Sequence, residues 1–256
     1  MNILGLPSRI RHHLQERSLT AKNPQSNDFY LVEYPKSGIT WTSCILANIG
    51  LLSSNRKEIA NFVSARTYIP DIHLGRHVDG CGFETPPVRF IKSHSIYNRN
   101  YRFIIYLSRE PAQVMASYYR FQLAHGMPEV GFDEFCFGKH GALQAWKNHI
   151  NSWLIGPTTG QILYLIRYED LQNDAATVFE ELATCFGWSL ERHVIEESVN
   201  RSSMDSMTLS EERYRSKNPR HNIKFVGAKS IIKSETSIKN EINVSCAQER
   251  KLLGYI

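Results

Sequence analysis

The stretch that most constrains this chain is Tyr34-Pro35-Lys36-Ser37-Gly38-Ile39-Thr40-Trp41. The residues leading into it, 29–34, are a short apolar and aromatic run that reads as a buried parallel strand. After it, residues 39–52 place Trp41, Ile45, Leu46, Ile49 and Leu52 on one helical face. Between the two stand a turn former, a cation, a hydroxyl and a residue free to take positive φ. A strand, a tight basic loop and a helix start make an anion cradle. Loop N–H groups and the helix dipole converge on one spot, and Lys36 joins them. The plain alternative is an ordinary strand-to-helix turn with an exposed lysine.

Further strands are expected at 88–92, 101–107 and 161–168, and further helices at 111–124, 142–155, 174–186 and 190–200. Pro111 suits the first turn of its helix, where its missing N–H costs nothing. Residues 8–27 form a polar lead-in with a short helix at about 10–17. The segment 53–87 mixes a weak helical signal at 56–65 with glycines and prolines, and is long enough for a binding role. A loop with Gly126, Pro128 and Gly131 follows the 111–124 helix. The last 55 or so residues are polar and poorly periodic apart from 247–253. No linker or repeat divides the chain, so 1–256 reads as one domain, with its motif-bearing part at about 29–230.

Strands alternating with helices predict an α/β fold: a mostly parallel sheet flanked by helices on both faces. Ligands bind such sheets at the carboxyl ends of the strands. The first three strands all end in polar, mostly basic residues: Lys36-Ser37, Lys92-Ser93-His94 and Ser108-Arg109. Arg109 is suited to grip a second phosphate in bidentate fashion, and Ser117, two turns into the next helix, to add a hydroxyl. The competing role for Arg109 is a salt bridge with Glu110 or Glu169. Two phosphate sites suit a nucleotide phosphorylated at both ends. His94, beside the cradle, is placed to act as a base near neutral pH, while Lys36 and Lys92 neutralise charge on a leaving phosphate. This is the division of labour for in-line transfer of a charged group to a hydroxyl.

A Walker-type string is absent, and only Glu169-Asp170 follows a strand as a magnesium carboxylate would. No Cys/His spacing suits zinc, so transfer without a metal is expected. The net charge of +5 points to a polyanionic partner, but no Lys/Arg run stands out. A small phosphorylated ligand is therefore expected rather than nucleic acid. The five cysteines are dispersed, which fits reduced thiols rather than a disulfide framework. The first residues lack a signal-peptide apolar core, and no apolar run is long enough to span a membrane, so a cytoplasmic location is expected.

Taken in order, these motifs resemble the PAPS-dependent sulfotransferases of the soluble cytosolic type. The 34–41 stretch is similar to that family's P-loop-like 5′-phosphosulfate loop, with Ile39 where threonine is usual. Lys92-Ser93-His94 resembles its Lys-Thr-His segment, whose histidine is the catalytic base. Ser108-Arg109-Glu110-Pro111 through Ser117-Tyr118-Tyr119 resembles its 3′-phosphate motif. Trp146-Lys147-Asn148-His149 with Trp153 looks like the helix near its acceptor pocket, and Tyr168-Glu169-Asp170 like the strand end beside the adenine. The resemblance implies PAPS held by Lys36, Ser37, Gly38, Ile39, Thr40, Trp41, Arg109, Ser117 and Tyr168, with Ser202 and Met204 near the adenine. It implies His94 as general base with Lys36 and Lys92 assisting, and a small-molecule or glycan acceptor that offers a hydroxyl or, as second choice, an amine. The chain departs from the family at 224–229, where the expected Arg-Lys pair is missing and Lys224, Lys229 or Arg220 stand as substitutes. The family's dimerisation motif has no clear counterpart at 233–241. The alternatives are a P-loop-like kinase using ATP and magnesium, or a non-catalytic nucleotide- or polyanion-binding protein. Phe83, Phe132 and Phe135 are candidates for an apolar wall.

Overall fold

Alternation along the first strand divides the core into two faces. In β1 (Asp28–Glu33) all six residues are buried. Tyr30 and Val32 point to one side, and Phe29 and Leu31 to the other. The computed structural model describes residues 21, 23–74, 83–84, 86–138, 141–156, 160–218 and 235–256. Among these, β1, β2 (Arg89–Ser93), β3 (Phe103–Ser108) and β4 (Ile162–Arg167) form one parallel sheet in the order β2-β1-β3-β4.

The chain leaves β1 for β2 on one side, then crosses to β3 on the other. That reversal is a topological switch point, where open α/β sheets hold ligands. Register sets the height of each strand end: Val32 lies beside Ser93, Glu33 beside Leu107, and Ser108 beside Arg167. The residues that follow, Tyr34, His94, Arg109 and Tyr168, therefore emerge along one edge.

One face is covered by α3 (Pro111–Ala124), α4 (Phe132–Phe137), α5 (Ala142–Leu154) and α9 (Glu235–Ser245), through Val114, Met115, Phe135, Trp146, Trp153 and Ile242. The other is covered by α1 (Ile39–Ser53), α6 (Tyr168–Phe186) and α7 (Arg192–Arg201), through Ile45, Leu46, Phe179, Leu182 and Ile195. The remaining helices are α2 (Ala65–Tyr68), α8 (Met204–Lys217) and α10 (Ala247–Leu252).

The expected α/β fold and its four strands are present, with ends displaced by a residue or two. Several expectations need correction. Tyr168 is not the end of a strand but the first residue of α6. That helix breaks at Asp174 (φ −153°), whose carboxylate accepts from the Thr177 N–H and hydroxyl and caps the run that follows. The weak helix at 56–65 reduces to α2, displaced to its far end. The loop after α3 contains α4, and the polar carboxyl-terminal region contains α8 and α9. Phe83, Phe132 and Phe135 do not share a wall. Phe132 and Phe135 pack with Tyr119 on one face of the sheet, while Phe83 packs near Phe90 on the other. The expected helix at 10–17, Arg220, the 224–229 segment and residues 233–234 lie outside the described residues.

Candidate active site

The loop between β1 and α1 closes on a carboxylate. Glu33, 2% exposed, accepts from the Lys36 N–H at 3.1 Å and from the Ile39 N–H at 2.9 Å. The Ser37 hydroxyl donates to the Tyr34 carbonyl at 2.9 Å. These bonds hold Lys36 at φ 81°, unusual for a residue with a side chain, and Gly38 at φ 117°. A Cβ on Gly38 would lie 2.6 Å from the Tyr168 ring, so the loop and the start of α6 touch only because this residue is glycine. Among the described residues, the N–H groups of Ser37, Gly38 and Thr40 have no acceptor, leaving three donors at the amino end of α1.

Cations surround this end. Lys36 Nζ stands 4.8 Å over the Phe121 ring, and its pKa is lowered, first by burial and then by Lys92, Arg109 and Arg120, with Glu33 opposing. Burial pushes the Glu33 carboxyl up, while Lys92, the Ile39 and Lys36 N–H groups and Lys36 itself pull it back. Lys92 Nζ lies 3.5 Å from Asp71 Oδ2.

His94 sits between two carboxylates. Its Nδ1 is 3.3 Å from the Glu33 carbonyl oxygen and 3.9 Å from Glu33 Oε1, and its Nε2 is 3.7 Å from Asp71 Oδ2. Both facing groups are acceptors, and only the Glu33 carbonyl lies within hydrogen-bond distance, so we assign the proton to Nδ1 as donor and the lone pair to Nε2. The His94 N–H donates to His73 Nε2 at 2.9 Å. Desolvation, then Lys92, holds the His94 imidazole down at about 4, against an upward pull from Asp71. It is neutral at pH 7, the state a base requires.

The third strand end is arranged differently. Arg109 lies 4.3 Å over the Tyr168 ring and donates to Gln113 Oε1 from Nη2 at 2.9 Å and from Nε at 3.1 Å. The two carboxylates expected to pair with it are engaged elsewhere. Glu110 is bound to Arg250 at 2.9 Å, and Glu169 accepts from the Tyr255 hydroxyl and the Glu110 N–H. Ser117 lies four residues before Phe121 on α3, so it shares the helix face that meets Lys36.

Tyr168 also meets Trp41 edge to face at 5.9 Å, and Trp41 Nε1 donates to the Ser202 carbonyl at 2.9 Å. The Ser202 hydroxyl accepts from the Asn48 amide at 3.0 Å, so it secures α1 to the end of α7. Met204 is 40% exposed at the start of α8. On the opposite side, Tyr34 packs against Tyr118 and His149, and His149 Nδ1 is 2.8 Å from the Tyr106 hydroxyl.

Lys36, Ser37, Gly38, Ile39, Thr40, Lys92, His94, Arg109, Ser117 and Tyr168 thus gather along one edge, with Trp41 and Ser202 against Tyr168. Glu33, Asp71, His73, Gln113 and Phe121 join them without belonging to any of the sequence motifs. A lone glutamate in an otherwise apolar strand, directly before a basic loop, was the available signal for Glu33.

The sulfotransferase domain family matches residues 26–235. This chain belongs to the sulfotransferase family. Human sulfotransferase 1C2 is 27% identical over 219 residues, which cover 78% of this chain and 71% of that protein. Dog sulfotransferase 1B1 is 26% identical over 198 residues, 71% of this chain and 66% of its own length. Among solved structures, retinol dehydratase in complex with retinol and PAP superposes with a TM-score of 0.60 at 16% identity, covering 95% of this chain and 85% of that one. Mouse sulfotransferase SULT7A1 complexed with PAP gives 0.56 at 18% identity, with 93% and 91% coverage. At these identities the two structures speak for the shared fold. The family's reaction class is sulfuryl transfer, and none of these likenesses favours the kinase or the non-catalytic reading. No helix among the described residues is long and apolar enough to cross a membrane.

Proposed function

We propose that this chain transfers a sulfuryl group from PAPS to the hydroxyl of a small molecule, with His94 as general base. PAPS supplies a sulfuryl group activated on its 5′-phosphate and leaves as the 3′,5′-adenosine bisphosphate PAP. The observation that carries the reading is the convergence, by strand register, of a neutral His94, two lysines and a separate arginine on one edge.

The residues fit a nucleotide with two phosphate ends. The N–H groups of Ser37, Gly38 and Thr40, with Lys36, receive the 5′ end, and Arg109 with Ser117 receives the 3′ end. Trp41 and Tyr168 supply the ring surfaces for the adenine, with the 202–204 turn beside them. His94 Nε2 takes the proton from the acceptor hydroxyl, while Lys92 and Lys36 meet the charge that develops on the phosphate side. Retinol and androsterone are the small molecules held by two of the structural neighbours, and an apolar acceptor with one hydroxyl suits the Tyr34, Tyr118 and His149 side of this site. We further read residues 1–256 as one domain acting in the cytoplasm.

Calorimetric titration compares PAP with ATP and magnesium. PAP is expected to bind more tightly, because two separate phosphate grips match its two ends. Tighter binding of ATP overturns the reading.

A further inference from the structure

Asp71 lies in the irregular segment before β2 and belongs to none of the motifs singled out in the sequence. It is nevertheless fixed. The Lys92 N–H donates to the Pro70 carbonyl at 2.8 Å, which bridges Asp71 to the β2 edge, and Asp71 Oδ1 accepts from the His73 N–H at 2.9 Å. Its side chain is 10% exposed, and its other oxygen, Oδ2, lies 3.5 Å from Lys92 Nζ and 3.7 Å from His94 Nε2.

Of these two contacts, only the one with Lys92 is attractive at rest. With the proton on Nδ1, His94 Nε2 presents a lone pair toward Asp71, and two acceptors form no hydrogen bond. The contact becomes a charge-assisted pair once Nε2 is protonated. An interaction absent in the resting state and present after proton transfer is the kind that lowers a barrier. We propose that Asp71 is a positioning residue for sulfuryl transfer, holding Lys92 in the resting site and then receiving the charge of the imidazolium that His94 becomes. The proposal rests on the transfer reading above. In that step the acceptor O–H bond breaks as Nε2–H forms. The acceptor oxygen bonds to sulfur, and the sulfur–oxygen bond to the 5′-phosphate breaks with its electron pair on the phosphate.

The groups that face His94 are Asp71 and His73 from the β2 edge, Lys92 on its own strand, Glu33 from β1 and His149 from α5. Lys92 and His73 depress its proton affinity and Asp71 raises it. Asp71 is therefore the carboxylate whose removal alters the base.

The test uses the full chain with ¹⁵N-labelled histidine. In Asp71→Asn the imidazolium fraction of His94 at pH 5 is expected to fall about tenfold, the effect of losing an adjacent opposite charge worth about one pKa unit. With PAPS saturating, kcat falls about tenfold and its acid limb moves to lower pH, while PAP affinity stays within about twofold. Asp71→Glu, which keeps the charge, recovers the imidazolium fraction. An unchanged His94 titration in Asp71→Asn overturns the proposal, as does an equal loss in both variants with the acid limb in place. Absence of PAPS turnover in the unmodified chain defeats the transfer reading instead, and the titration still decides the role of Asp71.

Discussion

At the β1–β2 edge, Lys92 and His94 share one oxygen of Asp71, and Lys36 stands beside a buried Glu33. At the β3–β4 edge, Arg109 has an amide oxygen and a tyrosine face, because Arg250 and Tyr255 occupy the carboxylates beside it. The first region sets its lysines directly beside carboxylates, and the second gives its cation neutral hydrogen-bond partners, with Glu169 acting on it only through space. Charge that must change during a reaction needs a partner that can share it. Charge that only has to hold a phosphate is most useful left uncompensated. The first edge is built for chemistry and the second for grip.

The sharpest break in this contrast is His94→Ala. It should lower kcat by about 10² to 10⁴ while PAP affinity stays near that of the parent, read by steady-state turnover and calorimetry. A parallel loss of PAP binding would place His94 on the gripping side. Arg109→Ala should do the reverse, weakening PAP binding by about 1.5–3 kcal/mol with a smaller change in kcat at saturation. Arg109→Lys should recover only part of that affinity, because the ammonium lacks the guanidinium fork.

Gly38→Ala tests the joint between the two regions, where the loop meets Tyr168. Positive φ and a Cβ 2.6 Å from that ring should cost about 1–3 kcal/mol, seen as a lowered Tm together with weaker PAP binding. The smallest effect concerns acid. Burial holds His94 at about 4 and His149 at about 3, below the ordinary histidine value of 6.5. Below that value the unfolded chain binds protons that the folded one refuses. Stability is therefore fullest above about pH 6.5 and is lost as pH falls toward 4, by at most about 1.4 kcal/mol per pH unit for each histidine. Denaturant titrations at pH 7 and pH 5 measure the slope, and His149→Phe should flatten it.

The gripping edge was the more legible of the two in the sequence. Arg109 and Ser117 lie in one continuous strand-to-helix passage, and α3 begins and ends where its apolar spacing and Pro111 place it. The chemical edge was half legible. Lys36, Lys92 and His94 follow strands with clear period and length, but Asp71 reaches them through one isolated bridge from a segment without periodicity. In the sequence Glu33 looks like one more strand residue, because a buried carboxylate is recognisable only from its N–H partners. Two of the helices without a sequence signal differ in cause. In α8 only Met207 and Glu211 are buried, so no apolar stripe marks it, whereas α4 buries Phe132, Phe135 and Cys136 but is only six residues long.

Glu33 has a consequence for the speed of binding. Because two of its own backbone donors already rest on an internal carboxylate, the 34–39 loop has little ordering left to do when a nucleotide arrives. Association should then run at the pace of diffusion and electrostatic steering, and residence time should follow the contacts made afterwards. A loop freed by Glu33→Ala would have to fold around its ligand at each encounter, and stopped-flow mixing would show the cost first in the association rate.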